Sequence, residues 1–392
     1  MPHGFDFANA KSLRMDSKLG GFCWMKKIRF DSFVSLNRGF DLTDDKIIEG
    51  EYPVIASTSI KAYHNQFKVK APIVVTGRSG SLGKVQYIDR DGWPLNTSLY
   101  AKDYHGNFPK YVYYFLQTIH LEQFNAGAGV PTLNQNHLHS LKLLVHEREQ
   151  QELVANILSR YDEAIENNNK RIKLLEQMAQ NLYKEWFVRF RFPGWENCEF
   201  ENGIPKGWKV EKLFDVVNVT YGYAFASELF CEDKTLNPVV RIRDILDNRT
   251  NTYTSEVCAD KYIIKEHEIL VGMDGIFHMC MWNGNKAYQN QRVVKLTSKT
   301  DEVSNYFLFL SVQPQVKFWE QTIAGTTVAH LGDKHLKRMT VLLPSENLLK
   351  KSTKIFNSLM KQKNQLFIAN ENLAKQRDLL LPRLMSGKLE VN

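Results

Sequence analysis

Residues 147–187 read EREQQELVANILSRYDEAIENNNKRIKLLEQMAQNLYKEWF, a charged stretch without a single Pro or Gly. One seam recurs in it at alternating spacings of four and three: Val154, Leu158, Tyr161, Ile165, Asn168, Ile172, Leu175, Ala179, Leu182 and Trp186. That is a heptad stripe held over about four repeats, the pattern of a coiled-coil helix. At about 1.5 Å per residue, roughly forty residues make a rod of about 60 Å. A stripe so narrow needs a partner to bury it.

The partner lies in the same chain. Residues 345–386 carry Phe356, Leu359, Leu366, Leu373, Leu380 and Leu384 at the same alternating spacings, with Lys363, Asn370 and Arg377 in the remaining seam positions. One constant offset lays Ile157 on Ile355, Leu175 on Leu373 and Leu182 on Leu380. The same offset extends upstream. There NAGAGVPTLNQNHLHSLKLLV (125–145) matches IAGTTVAHLGDKHLKRMTVLL (323–343), with Ala126, Gly127, Val130, Leu133, His137, Leu138 and Leu144 on Ala324, Gly325, Val328, Leu331, His335, Leu336 and Leu342. The chain is therefore a tandem duplication of a globular unit followed by a long helix. Asn168 and Asn370 stand on the two seams without being counterparts. Each is either a register-setting polar residue or a tolerated one on a solvated part of the rod.

At 392 residues, 43% hydrophobic and 12% aromatic, the chain has the composition of two or three globular domains and not of a disordered protein. A net charge of +8 and a pI near 9.0 point to an anionic partner. Nucleic acid leads over a membrane surface, because no long apolar run or basic amphipathic anchor is present. Five cysteines (23, 198, 231, 258 and 280) without CxxC spacing argue against a disulfide framework and a zinc site. They fit a reducing cytoplasm. The first residues lack the apolar core of an export signal.

The boundaries are placed as a tail over 1–22, a globular unit over 23–146, a long helix over 147–190, a linker over 191–207, a second unit over 208–344 and a second long helix over 345–388. The opening WMKKIRFDSF of the first unit matches WKVEKLFDVV at 208–217. APIVVTGRSGSLGKVQYI (71–88) and HEILVGMDGIFHMCMW (267–282) each read as strand, Gly-rich turn, strand. YPVIAS (52–57) pairs with NPVVRI (237–242), and NTSLYAKD (96–103) with NQRVVKLT (290–297), all as short strands. YVYYFLQTIHLEQF (111–124) and SNYFLFLSVQPQVKFWE (304–320) each read as one short helix. Each unit is α+β.

Most chemical motifs fail on spacing. GRSGSLGKV (77–85) separates its outer glycines by one residue too many for a phosphate-binding loop and ends in Val85, where a magnesium-binding Ser or Thr is needed. NPVV (237–240) lacks the second Pro and the aromatic of an adenine methyltransferase motif. His137 and His335 are counterparts without accompanying ligands and are assigned to the turn that supports the rod. No catalytic constellation and no metal site emerge. What remains is a set of polar loop residues recurring at corresponding places in both units. In the first unit they are Lys61, Thr76, Arg78, Ser79, Ser81, Lys84, Asn96, Thr97 and Ser98; in the second, Tyr221, Arg241, Arg243, Asp274, Asn290, Gln291 and Arg292. Arg, Asn and Gln can read base edges, while Lys, Ser and Thr position on phosphates. Taken singly, each is better explained as a solvated surface residue; their weight is collective.

The layout resembles the DNA-specificity subunit of type I restriction-modification systems over residues 24–392. The resemblance is carried by GIPKGWKVEKLFDV (203–216), IAGTTVAHLGDKHLKRMTVLLPS (323–345) and LLLPRLMSGKLEV (379–391). The first unit departs from it, reading GGFCWMKKIRFDSF at its entry and GAGVPTLN where the second has GTTVAHLG. The resemblance implies two target-recognition domains, each reading half of a bipartite target on double-stranded DNA. It implies that the long helices pack as an antiparallel coiled coil, giving the repeat a pseudo-twofold axis, with Leu158, Ile165, Leu175, Leu182, Phe356, Leu366, Leu373 and Leu380 at the helix-pair contact. It further implies no catalysis and no cofactor in this chain. Two methyltransferase subunits would bring S-adenosylmethionine and flip the target adenines, with two restriction-translocase subunits as optional further members. Two other classes stay open: a self-contained modification enzyme, for which no methyl-donor motif is found, and a coiled-coil protein-interaction scaffold without DNA specificity.

Overall fold

The computed structural model describes residues 25–127, 129–323 and 329–391. The expected tail over 1–22 and the start of the first unit at Cys23 and Trp24 lie outside the described residues. The chain divides into two compact units, one comprising residues up to Ala164 together with those from Asn372, the other Ile165–Glu371.

In the first unit, Met25–Arg29 pairs antiparallel with Lys142–His146, so the two ends of the globular part are clasped beside the start of the long helix. A four-stranded antiparallel sheet runs in the order Ser35–Arg38, Ser98–Asp103, Ile73–Gly77, Val85–Ile88. A smaller sheet joins Ile60–His64 to Tyr52–Ile55, and Tyr52–Ile55 in parallel to Trp93–Pro94. The core is aromatic: Phe30, Phe33, Tyr111 and Tyr114 are fully buried, and Val154, Leu158, Leu384 and Met385 of the two long helices belong to the same cluster. The helices are thus rooted in the unit by burial of their own seam residues, the dominant favourable term available. The helix expected over 111–124 is two elements, an α-helix Pro109–Thr118 and a 3-10 turn Leu121–Phe124. His120 between them has φ +54°, a left-handed conformation that no helix continues through.

The second unit repeats this plan. Lys209–Lys212 clasps Thr340–Leu343. The four-stranded sheet has the same order: Val217–Tyr221, Val293–Ser298, Ile269–Gly272, Met279–Met281. The smaller sheet again holds one parallel pair, Asn237–Val240 with Ala287–Gln289, but is widened to five strands. The helix Asn305–Ile323 carries Pro314 inside it. Ala179, Phe187, Phe307 and Phe356 share its core, with Leu175 and Leu182 packed against that cluster.

The first long helix, Arg148–Tyr183, begins in the first unit and ends in the second; the second, Glu346–Met385, does the reverse. The former gives way to a π turn over Lys184–Val188, short of the expected end at 190. The stretch expected as a linker folds onto the second unit instead. It forms a small hairpin of Phe200–Glu201 with Ile204–Pro205, and Phe192 packs at a tilt against Trp208 with both residues buried.

Every seam position of both helices is buried or half-buried. Inside the second unit the Asn168 amide donates to Asn370 Oδ1 at 2.9 Å, and the Asn370 amide donates to Asn169 Oδ1 at 2.9 Å. Lys363 pairs with Glu176 at 2.7 Å. Partner numbers fall on one helix as they rise on the other, so the segments run antiparallel. Inside the first unit Arg377 pairs with Asp162, which also accepts the Tyr114 hydroxyl. The polar residues interrupting both stripes are thereby satisfied, as burial requires. Among the described residues no helix is long and apolar enough to cross a membrane.

Candidate DNA-reading surfaces

Each unit builds one polar surface where its two sheets meet, and both use the same backbone frame. In the first, the Arg78 and Ser79 N–H groups donate to Thr97 O at 2.8 and 3.1 Å, and Leu133 N–H donates to Arg78 O at 2.8 Å. In the second, Met273 N–H donates to Arg292 O at 3.0 Å, and Leu331 N–H donates to Met273 O at 2.8 Å. Isolated bridges tie Ser79 to Thr132 in one and Asp274 to His330 in the other. A glycine lets the chain cross close by. A Cβ on Gly39 would lie 2.2 Å from Leu95 O, and one on Gly222 would lie 1.9 Å from Asn290 O. No side chain fits there. These contacts equate Arg78 with Met273, Ser79 with Asp274, Leu95 with Asn290, Asn96 with Gln291, Thr97 with Arg292 and Thr132 with His330.

The side chains on that frame differ. In the first unit Arg78 is half-buried, with its Nη1 donating to Asn96 O at 3.2 Å, and Asn96 donates to Asp41. Ser81, Lys84 and Thr97 are exposed around them. Thr76 and Ser98 do not belong to this surface. Thr76 is 1% exposed with its hydroxyl on Lys84 O, and Ser98 is fully buried with its hydroxyl on Ile55 O. Strand Ile73–Gly77 is covered on both faces, so the alternation that would turn one face to solvent is absent. Lys61 lies on the smaller sheet, paired with Asp44.

In the second unit the surface is a cleft of about 450 Å³. Arg241, Arg243, Arg292, Asp274, His278 and Asn290 supply its polar wall, and Ile242 and Ile276 its apolar one. Three guanidinium groups and one carboxylate line it, and with Asp244 Oδ1 at 3.7 Å from Arg243 Nε the guanidinium groups still outnumber the carboxylates. Arg243 Nη2 donates to Thr252 Oγ1 at 3.1 Å, while Arg241 lies 5.4 Å from the Phe230 ring centre. Arg292 Nε is 3.3 Å from Asp274 Oδ2, and Asp274 Oδ1 is 2.6 Å from His330 Nδ1. Gln291 is exposed beside Arg292. Tyr221 is committed elsewhere: its hydroxyl donates to Asp333 Oδ1 at 2.7 Å, and burial, then that carboxylate, push its phenol above the ordinary tyrosine value. His278 and His330 are absent from the residues picked by sequence. The repeat register already laid His330 on Thr132, and that correspondence was the available signal. His335 serves the short helix Asp333–Leu336, accepting the Gly332 N–H at 3.0 Å. Among the described residues no group of three or more His, Cys, Asp or Glu side chains is placed to hold a metal ion.

The family model for the type I restriction modification DNA specificity domain matches residues 25–177 and again 205–372. The chain is 26% identical over 367 residues to the type I restriction enzyme MjaIX specificity subunit of Methanocaldococcus jannaschii, covering 86% of this chain and 82% of that one. It is 31% identical over 141 residues to the EcoBI specificity subunit of Escherichia coli, covering 36% of this chain and 30% of that one. The crystal structure of a type I restriction-modification system S subunit from M. genitalium superposes with a TM-score of 0.58 at 17% identity, covering 97% of this chain and 99% of that one. This last likeness is one of fold.

Proposed function

Because this chain belongs to the type I restriction modification DNA specificity family, matched over both tandem segments, we propose that its two units each read one half of a bipartite target on double-stranded DNA. The observation carrying this reading is the shared backbone frame with different side chains at its equivalent positions. Two like scaffolds bearing unlike polar groups are what an asymmetric two-part sequence requires. Arg78 and Asn96 in the first unit, and Arg241, Arg243, Asn290, Gln291 and Arg292 in the second, are the base-reading candidates. Ser79, Ser81, Lys84 and Thr97 are positioned for phosphate contacts.

The long helices set the spacing between the half-sites and dock two methyltransferase subunits. Leu174, Met178 and Ile368 support this docking role, because these apolar side chains are 58%, 57% and 46% exposed outside the seam. The chain itself performs no chemistry. S-adenosylmethionine and adenine flipping belong to the methyltransferase subunits, two restriction-translocase subunits are optional further members, and the complex works in the cytoplasm.

The test is a genome-wide map of methylated adenines in cells carrying this chain with its methyltransferase, set against the methyltransferase alone. A two-part motif that depends on the chain is the expected result. An active methyltransferase with no motif dependent on this chain would overturn the reading and leave a coiled-coil scaffold.

A further inference from the structure

We propose that Arg292 reads one guanine in the half-site bound by the second unit, held in its reading pose by Asp274 and His330. The inference rests on the DNA-reading function proposed above and goes beyond it by naming the base class and the supporting residues. Of the three guanidinium groups in the cleft, Arg243 spends a terminal nitrogen on Thr252 and Arg241 lies against Phe230. Arg243 also turns its Nε to a carboxylate, Asp244 Oδ1 at 3.7 Å, whereas Arg292 meets its protein partner through Nε alone. Among the described residues neither of its terminal amino groups has an acceptor, and its side chain is 54% exposed.

A guanidinium held at Nε aims two parallel donors outward. Guanine offers two acceptors, O6 and N7, on one major-groove edge, while adenine, cytosine and thymine each offer at most one. Pinning the side chain beforehand also lowers the ordering cost on binding. The carboxylate decides between base and backbone. A bare arginine is drawn to phosphates, but Asp274 beside it offsets the net charge and leaves the directional donors intact. Asp274 is in turn fixed by His330 at 2.6 Å and by the bridge between their backbones. The first unit lacks all three groups together, with Thr97, Ser79 and Thr132 at the equivalent positions. The three residues change as one device.

The experiment uses the full chain assembled with its methyltransferase on duplexes carrying the mapped motif. Each guanine is replaced in turn by 7-deazaguanine, which removes the N7 acceptor without altering Watson–Crick pairing. Wild-type protein should lose about 10- to 100-fold in affinity at one guanine of one half-site. Arg292→Met, which keeps the stem but removes every donor, should bind the native duplex more weakly and become insensitive to deaza substitution at that same guanine, with every other position unchanged. Asp274→Asn should give a partial version of the same effect, and it serves in place of Arg292→Met if that variant does not assemble. Uniform weakening across all sequences with a shallower salt dependence would make Arg292 a phosphate contact and overturn the proposal. So would unchanged deaza sensitivity in a binding-competent variant. Both outcomes leave the specificity reading standing, whereas indifference of the wild-type complex to the whole motif would sink that reading itself.

Discussion

The turn of the first unit presents Arg78, Ser79 and Thr97, while the corresponding turn of the second turns Met273 into its core and presents Asp274 and Arg292. The backbone bonds Arg78 N–H to Thr97 O and Leu133 N–H to Arg78 O recur as Met273 N–H to Arg292 O and Leu331 N–H to Met273 O. The arginine has crossed from one side of the frame to the other, and a carboxylate and an imidazole accompany it in the second unit. The hydrogen bonds common to the two frames are backbone-made and so tolerate such exchange, while side-chain bonds such as Arg78 Nη1 to Asn96 O and Ser57 Oγ to Thr97 O belong to the first unit. The seam of the long helices is the opposite case. There the side chains are the structure, and a polar residue is admitted only with a partner, as Asn168, Lys363 and Arg377 each have.

The contrast can be attacked from both ends. The largest effect is expected from Leu175→Lys combined with Leu373→Lys, which puts charge into the half-buried seam at two repeat-equivalent positions. Methylation mapped at both half-sites should fall together to background, since burying an unpaired ammonium is costly; loss of one half-site only would refute a shared role for the seam. A smaller and one-sided effect is expected from exchanging the frame's decoration. Arg78→Met, Ser79→Asp, Thr97→Arg and Thr132→His together should change the base preference of the first half-site by about tenfold or more at one position. The second half-site should stay as it was, and a shift there would mean that the frames do not read independently.

The smallest effect concerns the asparagines. In a double-mutant cycle of thermal or denaturant unfolding, Asn168→Leu and Asn370→Leu should couple by about 0.5–1.5 kcal/mol. Asn370→Leu should be the more harmful alone, because Asn370 also serves Asn169. Strict additivity of the two substitutions would reduce the pair to tolerated seam residues.

Much of this molecule is written in local pattern. The heptad seam, the strand–turn–strand segments at 71–88 and 267–282 and the constant offset between repeats are short-range periodicities. Backbone geometry converts them directly into helix, hairpin and duplication. The same pattern misled where burial overrides it. Thr76 and Ser98 look like loop polars beside a glycine turn, but they sit on stretches of strand buried on both faces. The chain over 192–208 looks like a spacer, yet its aromatic residues are drawn into the second unit's core.

What the sequence by itself determined is the tandem architecture and the family, because repetition and heptad spacing survive any detail of packing. The tertiary structure decided which polar residues meet. Asp274, Arg292 and His330 are distant in sequence and converge only when two neighbouring strands of the four-stranded sheet and a following loop close on one another. Asn168 and Asn370 are not repeat counterparts because duplication preserves chain direction, whereas antiparallel packing reverses it, so the pairing follows the fold and not the repeat.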